Sequence, residues 1–313
     1  MRDFLLVEYH HDLKDIWDDV VKVSKNGNFL HFRNYIDYHS HRFNEKSVII
    51  FSESKPLAIF PCNLRDNVIV SHEGLTYAGL IYGTSLHMID VLEIFNKLID
   101  HFMAQGVTSL VYKAIPHIFH KYPSDEDLYA LFRLNAQIIR RDISTVIPLD
   151  NALHFSELRK RKIRKAEANS ISFIELTDFE DYYELLLITL KKFDKSPTHT
   201  LNELKLLRKL FPEKIRLFGT VKEGKLLAGA LVYDFGVVAH TQYLASSEKG
   251  REMGALDFVL ANLISIVYKN KSFFSFGIST ENAGRYLNEG LIFQKEGFGG
   301  RGIIHDFYEL NLK

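Results

Sequence analysis

Residues 246–264 read SSEKGREMGALDFVLANLI, a glycine-punctuated turn that runs straight into an apolar-periodic helix. Phe258, Leu260, Leu263, Ile264 and Val267 recur at three-and-four spacing, which gives a helix one apolar face to lay against a sheet. The strand-like VVAHTQYLAS (237–246) precedes the turn, and SFFSFGIST (272–280) follows the helix. The pattern predicts strand, turn, helix, strand. Such a turn can hold a phosphate, because backbone N–H groups at a helix start form an anion site. Ser246, Ser247, Gly250 and Gly254 offer unobstructed donors for that purpose. A solvated loop with a good helix start accounts for the same letters.

Upstream, LFGTVKEGKLLAGALV (217–232) reads as a hairpin, and the whole series has a counterpart in the first half of the chain. There VIIFSESKPLAIFPC (48–62) gives the hairpin, LTYAGLIYG (75–83) the third strand and TSLVYKAIP (108–116) the closing strand. Between the last two, Met88, Val91, Leu92, Phe95, Leu98, Ile99 and Phe102 mark the helix. The order of elements is read as the same twice, so two α+β halves are expected, 1–150 and 151–313, joined near Asp150.

A length of 313 residues and a 46% apolar content suit two ordinary domains. Lys+Arg and Asp+Glu stand equal at 39 each, so no global field draws the chain to nucleic acid or anionic lipid. The amino terminus lacks a signal-peptide pattern and no apolar run reaches membrane-spanning length, so a soluble, cytoplasmic protein without membrane insertion is expected. The single cysteine, Cys62, excludes internal disulfides and is read as a small buried hydrophobe. The 14 histidines are scattered, HSH (39–41) and HIFH (117–120) lack a third ligand at a recognised spacing, and no metal is expected.

The order of elements, with a glycine turn between the fourth strand and its helix, resembles the Gcn5-related N-acetyltransferase (GNAT) fold. Two such halves in tandem resemble the FemAB-like branch, whose better-known members add amino acids to peptidoglycan precursors from aminoacyl-tRNA. The resemblance implies a mixed sheet flanked by helices in each half, and acyl transfer. It places an acyl-CoA donor on the strand end, Leu244, Ala245 and Ser246, and on the turn residues Lys249, Gly250, Arg251, Gly254 and Ala255. The family turn reads Arg/Gln-x-x-Gly-x-Gly/Ala; here Lys249 replaces its first residue and Glu252 stands where the first glycine belongs. A carboxylate there adds bulk and repels a pyrophosphate, although it suits a helix start by roughly 0.3–1 kcal/mol.

In NAGRYLNEGLIFQKEGFGG, Tyr286 stands four residues before Gly290-Leu291, resembling the family tyrosine at the end of the last helix that protonates the departing thiolate. A tyrosine packed at a helix end with a wet hydroxyl is the plainer alternative. The resemblance also puts the amine acceptor where the fourth and fifth strands splay, near His240, Gln242 and Tyr243. Strand alternation pairs His240 with Gln242 on one face and Thr241 with Tyr243 on the other. Glu281 is the preferred base, since partial burial beyond an apolar strand would raise its pKa; an exposed acid introducing the next helix is the alternative. Asp257 is read as solvent-facing. QKEGFGGRG (294–302), with four glycines, reads as a loop that closes on a ligand or as an ordinary hairpin loop, with Lys295 and Arg301 offering charge to a phosphorylated acceptor.

ELRKRKIRKAEANS (157–170) carries six cations against two glutamates on one helix. It is either a grip on tRNA phosphates through Lys160, Arg161 and Arg164, or a solvated face. Three functions follow: an N-acyltransferase with an acyl thioester donor and an amine acceptor, such as one on a sugar or cell-envelope precursor; an aminoacyl-tRNA-dependent transferase; or a non-catalytic ligand-binding module. The first half, with only Gly83 before its helix, is expected to be structural or acceptor-binding.

Overall fold

The two amphipathic helices anticipated from spacing each cover a sheet in the computed structural model, which describes residues 2–312. The helix Met88–Met103 buries Val91, Ile94, Phe95, Leu98 and Phe102, each contributing about 1.5–3 kcal/mol of apolar burial. The helix Ala255–Asn262 continues into a π-helical turn, Leu263–Val267, and buries Val259, Leu260, Leu263 and Ile264. Each helix belongs to its own hydrophobic core.

The chain divides into two units, one running to Asp142 and taking in the chain again from Ile304, the other comprising Ile143–Ile303. A single cut near Asp150 therefore does not describe it: residues beyond Ile303 return to complete the first unit, where Phe307–Asn311 pair antiparallel with Ser109–Lys113.

In the second unit the strands lie in the order Ser172–Leu176, Ile215–Lys222, Lys225–Asp234, Val238–Ser246, Phe273–Ile278, followed by the end of Gln137–Pro148. All neighbours are antiparallel except Val238–Ser246 and Phe273–Ile278, which run parallel because the helix crosses between them. In the first unit the matching strands Val48–Ser52, Lys55–Phe60 and Ile81–Tyr82 are antiparallel neighbours. The repeat is not perfect. A short hairpin, Asn63–Arg65 and Val68–Val70, is inserted there, and Val68–Val70 rather than Ile81–Tyr82 runs parallel to Ser109–Lys113.

The two long hairpins match in finer detail. Each has one residue that is skipped in the pairing, Leu57 between Ala58 and Pro56, and Leu227 between Ala228 and Leu226. Such a β-bulge turns a peptide out of the ladder. In the second unit that peptide is used: Leu227 O accepts from Ser247 N at 2.9 Å and from Ser247 Oγ at 3.0 Å, anchoring the glycine turn. Cys62 is fully buried, with its thiol 3.0 Å from Lys46 O, and burial pushes its pKa well up.

Candidate active site at the splayed strands

Val238–Ser246 and Phe273–Ile278 pair only at Val238↔Phe273, Ala239↔Phe274 and His240↔Ser275, and then part. A bulge lies on each strand at the point of parting. On the first, Leu231 pairs with Tyr243 and Val232 with Thr241, so Gln242 is skipped; on the second, Ser275 pairs with Val146 and Ile278 with Ser144. Bulges concentrate beside active sites because they re-aim side chains. Here the extra residue overturns the alternation expected from sequence. Tyr243 and His240 stand opposite Leu231 and Tyr233, on one face, while Thr241 stands opposite Val232 on the other, the face that carries the core of the Ala255–Asn262 helix.

His240 shares a 3.0 Å hydrogen bond with Ser275 Oγ, and Gly277 N donates to the same oxygen at 3.4 Å. Gly277 has φ +74, and a side chain there would begin 3.2 Å from His240 Cε1, so the glycine both permits the bulge and leaves room for the ring. Beneath this peptide lies Lys295, 4% exposed, whose Nζ donates to Gly277 O at 2.9 Å and Ile278 O at 2.7 Å. Burial lowers its pKa to about 7. The buried hydroxyls of Ser144 and Ser279 have no hydrogen-bond partner among the described residues, although Ser279 N donates to Ile143 O. The second polar pair on the first strand is Tyr243, whose hydroxyl accepts from Thr198 N at 3.1 Å and lies 2.8 Å from His199 Nδ1; burial raises its pKa.

Several expected site residues stand elsewhere. Lys295 is not on a loop and does not offer its charge outward: it sits in the helix Glu289–Glu296. The glycines after it are packed rather than mobile. A Cβ on Gly299 would run into Leu153 O, and one on Gly300 would come within 2.5 Å of Thr145 Cγ2. Arg301 is exposed and donates to Gly300 O. Tyr286 is not at the end of a helix but on a two-residue strand that pairs with Thr280–Glu281, ahead of the helix, and is 55% exposed. Opposite it Glu281 accepts from Lys195 Nζ at 3.0 Å and Asn288 Nδ2 at 3.1 Å. Those hydrogen bonds, that of Asn288 first, lower its pKa, the reverse of the rise expected from burial.

The glycine turn forms as the pattern predicts, Ser247 capping the short helix Glu248–Met253 by accepting from Gly250 N at 2.9 Å. Its amides are not unobstructed. Ser246 N donates to Thr189 Oγ1, Ser247 N to Leu227 O, Gly250 N to Ser247 Oγ and Gly254 N to Arg251 O. The glycines have packing reasons of their own: a Cβ on Gly250 would meet Leu227 O, and one on Gly254, at φ +76, would meet Lys162 O. Arg251 donates to Ser246 O at 2.9 Å, while Lys249 and Glu252 are exposed. Of the remaining positions assigned to donor binding, Ala245 and Ala255 are buried and Leu244 is half-buried against the core.

The basic run is one helix, Glu157–Ala168, but not all of its cations face water. Arg159 is buried and donates to Asp257 Oδ1 at 2.6 Å, so Asp257 is an interior ion-pair partner and not a solvent-facing residue. Lys160 pairs with Glu157, and Arg161, Arg164 and Lys165 are exposed. Among the described residues no three His, Cys, Asp or Glu side chains converge as metal ligands would, and no helix is long and apolar enough to cross a membrane.

Two successive meander-and-crossover units with a splayed fourth and fifth strand define a FemAB-like tandem GNAT fold. Solved structures agree. The crystal structure of FemX is similar over 97% of both chains, with a TM-score of 0.69 at 11% identity. L-PGS from Bacillus licheniformis is similar over 96% of this chain and 92% of its own, with a TM-score of 0.65 at 11% identity. A tandem GNAT protein from the clavulanic acid biosynthesis pathway is similar over 99% of both, with a TM-score of 0.53 at 12% identity. No family model and no curated protein matches the sequence.

Proposed function

We propose that the chain is a transferase that passes an activated acyl group to an amine, with its reaction centre at the splay of the second unit. The observation that carries this reading is the pair of facing bulges that sets His240 against Gly277 where the two strands part. In such a transfer the amine nitrogen bonds to the acyl carbon, the bond from that carbon to the donor's sulfur or oxygen breaks, and one amine proton must reach a base and then the leaving group. His240, held by Ser275, is the proposed proton acceptor. Lys295 is the positioning residue that ties down the Gly277–Ile278 carbonyls and so holds the bulge. Tyr286 and Glu281, on their exposed hairpin, are the proposed contacts to the leaving group or acceptor, with Gln242, Tyr243 and Arg301 around the acceptor.

The donor proposed first is an acyl thioester such as acyl-CoA on the 244–255 turn. A second reading, an aminoacyl-tRNA donor, is favoured by a specific observation: the turn's amides are engaged within the protein, and Arg161 and Arg164 are exposed on the basic helix. Calorimetric titration with acetyl-CoA and filter binding of charged tRNA separate the two. We expect one donor to bind and its acyl group to appear on an added amine. Failure of both to bind overturns the transferase reading, and binding without transfer to any amine leaves the chain a ligand-binding module.

A further inference from the structure

On the second unit, away from the splay, the segment 149–155 and the π-helical turn Leu263–Val267 border an open cleft of about 390 Å³, within the range of small-molecule sites. Leu149, Leu153, Phe155 and Ile264 supply the apolar part of its lining. Three basic side chains, His154, Lys160 and Lys269, also line it, and no carboxylate does. Lys160 reaches Glu157 at 2.8 Å, an exposed pair of the kind that contributes little, while Lys269 has no charged partner among the described residues. The geometry has a local cause. The π turn widens the helix at Ser265, an irregularity found often at functional sites, and Gly299 packs under Leu153 O and keeps that segment close.

We infer that this cleft binds an amphiphilic anion, a hydrocarbon chain ending in a phosphate or carboxylate, with the chain on Leu149, Leu153, Phe155 and Ile264 and the head group between Lys160 and Lys269. The four apolar side chains give a fully hydrated anion nothing to bury, whereas a hydrocarbon chain gains by covering them. Two lysines and a histidine without a lining carboxylate exclude a cation and disfavour a neutral chain.

Decyl phosphate, kept below its micellar concentration, is the probe, titrated calorimetrically against the full chain. Inorganic phosphate, decyl maltoside and anionic lipid vesicles serve as comparison arms. We expect a single site for decyl phosphate, no saturable binding of inorganic phosphate, and binding of the maltoside weaker by about tenfold or more. Lys160→Glu/Lys269→Glu should weaken decyl phosphate binding by at least about tenfold, and Leu153→Ser, at a half-exposed position, should weaken it less. Unfolding curves of the variants check that they remain folded; if the double charge reversal does not fold, Lys269→Gln takes its place and should weaken binding severalfold. Unchanged affinity in the folded variant overturns the inference. So does equal binding of the maltoside or of inorganic phosphate, or binding to vesicles without binding of the monomeric amphiphile.

Discussion

The first unit meets the gap between its fourth and fifth strands with a tyrosine; the second leaves polar groups along it. Between Ile81–Tyr82 and Ser109–Lys113 the Tyr112 hydroxyl accepts from Leu80 N at 2.8 Å and donates to Asp127 Oδ2 at 2.5 Å. A Cβ on Gly79 would lie 2.6 Å from that hydroxyl, so the glycine is kept small for the phenol. In the second unit the corresponding parting is lined by His240, Ser275 and Gly277. Both units keep a buried lysine that donates to two backbone carbonyls: Lys113 to His72 O and Leu75 O, Lys295 to Gly277 O and Ile278 O. Burial lowers both pKa values to about 7. A buried lysine common to both units is part of how the fold is held, whereas the His240, Ser275 and Gly277 groups along the parting are what distinguish the half proposed for chemistry.

The largest effect that tests this contrast is on turnover. His240→Ala should lower transfer by roughly 10²- to 10⁴-fold, the span of losing a general base, with donor affinity nearly intact. Tyr112→Phe, which strands Leu80 N–H and Asp127 in the first unit, should leave turnover unchanged and cost about 1–3 kcal/mol in urea unfolding. Reversed outcomes, turnover lost in Tyr112→Phe and retained in His240→Ala, would exchange the roles of the two units.

The paired lysines give a smaller effect with a definite sign. Each has a folded pKa of about 7 against an ordinary 10.5, so between those values the unfolded chain binds more protons than the folded one. Their contribution to stability therefore rises with pH across that window and is lost as pH falls through 7. Urea unfolding at several pH values from 7 to 10 should show that rise, and Lys295→Met should make it shallower. A slope unaltered by the substitution would mean that Lys295 keeps its proton when buried.

The smallest effect concerns the donor. Arg161→Ala/Arg164→Ala should reduce the salt dependence of tRNA binding by about one in log–log slope for each phosphate contact removed, with little change in stability. If acetyl-CoA is the donor instead, its affinity should be indifferent to both arginines.

Periodicity carried much of the fold. Apolar spacing located Met88–Met103 and the helix after the glycine turn, because burying one face of a helix leaves a 3.6-residue imprint whatever lies across from it. Less of the candidate site was legible. Alternation put His240 with Gln242, and one skipped residue reversed that; the isolated Gly277 inside FFSFGIST was the only local sign of a bulge. Asp257 and Arg159 read as surface charges because nothing local tells a buried ion pair from two solvated residues 98 positions apart. Glycines 250 and 254 read as phosphate-binding, whereas their contacts with Leu227 O and Lys162 O come from other elements.

By itself the sequence determined the duplicated strand-helix-strand order, the helix faces and the break between strand and helix after residue 246, since each depends on neighbours within a few turns of the chain. Tertiary structure alone decided which strand the closing residues join, where the two bulges fall, which cations turn inward, and that Lys295 lies buried under the Gly277 peptide. These depend on pairing register and on contacts between distant segments, where a shift of one residue moves a side chain to the opposite face and composition leaves no trace of the choice.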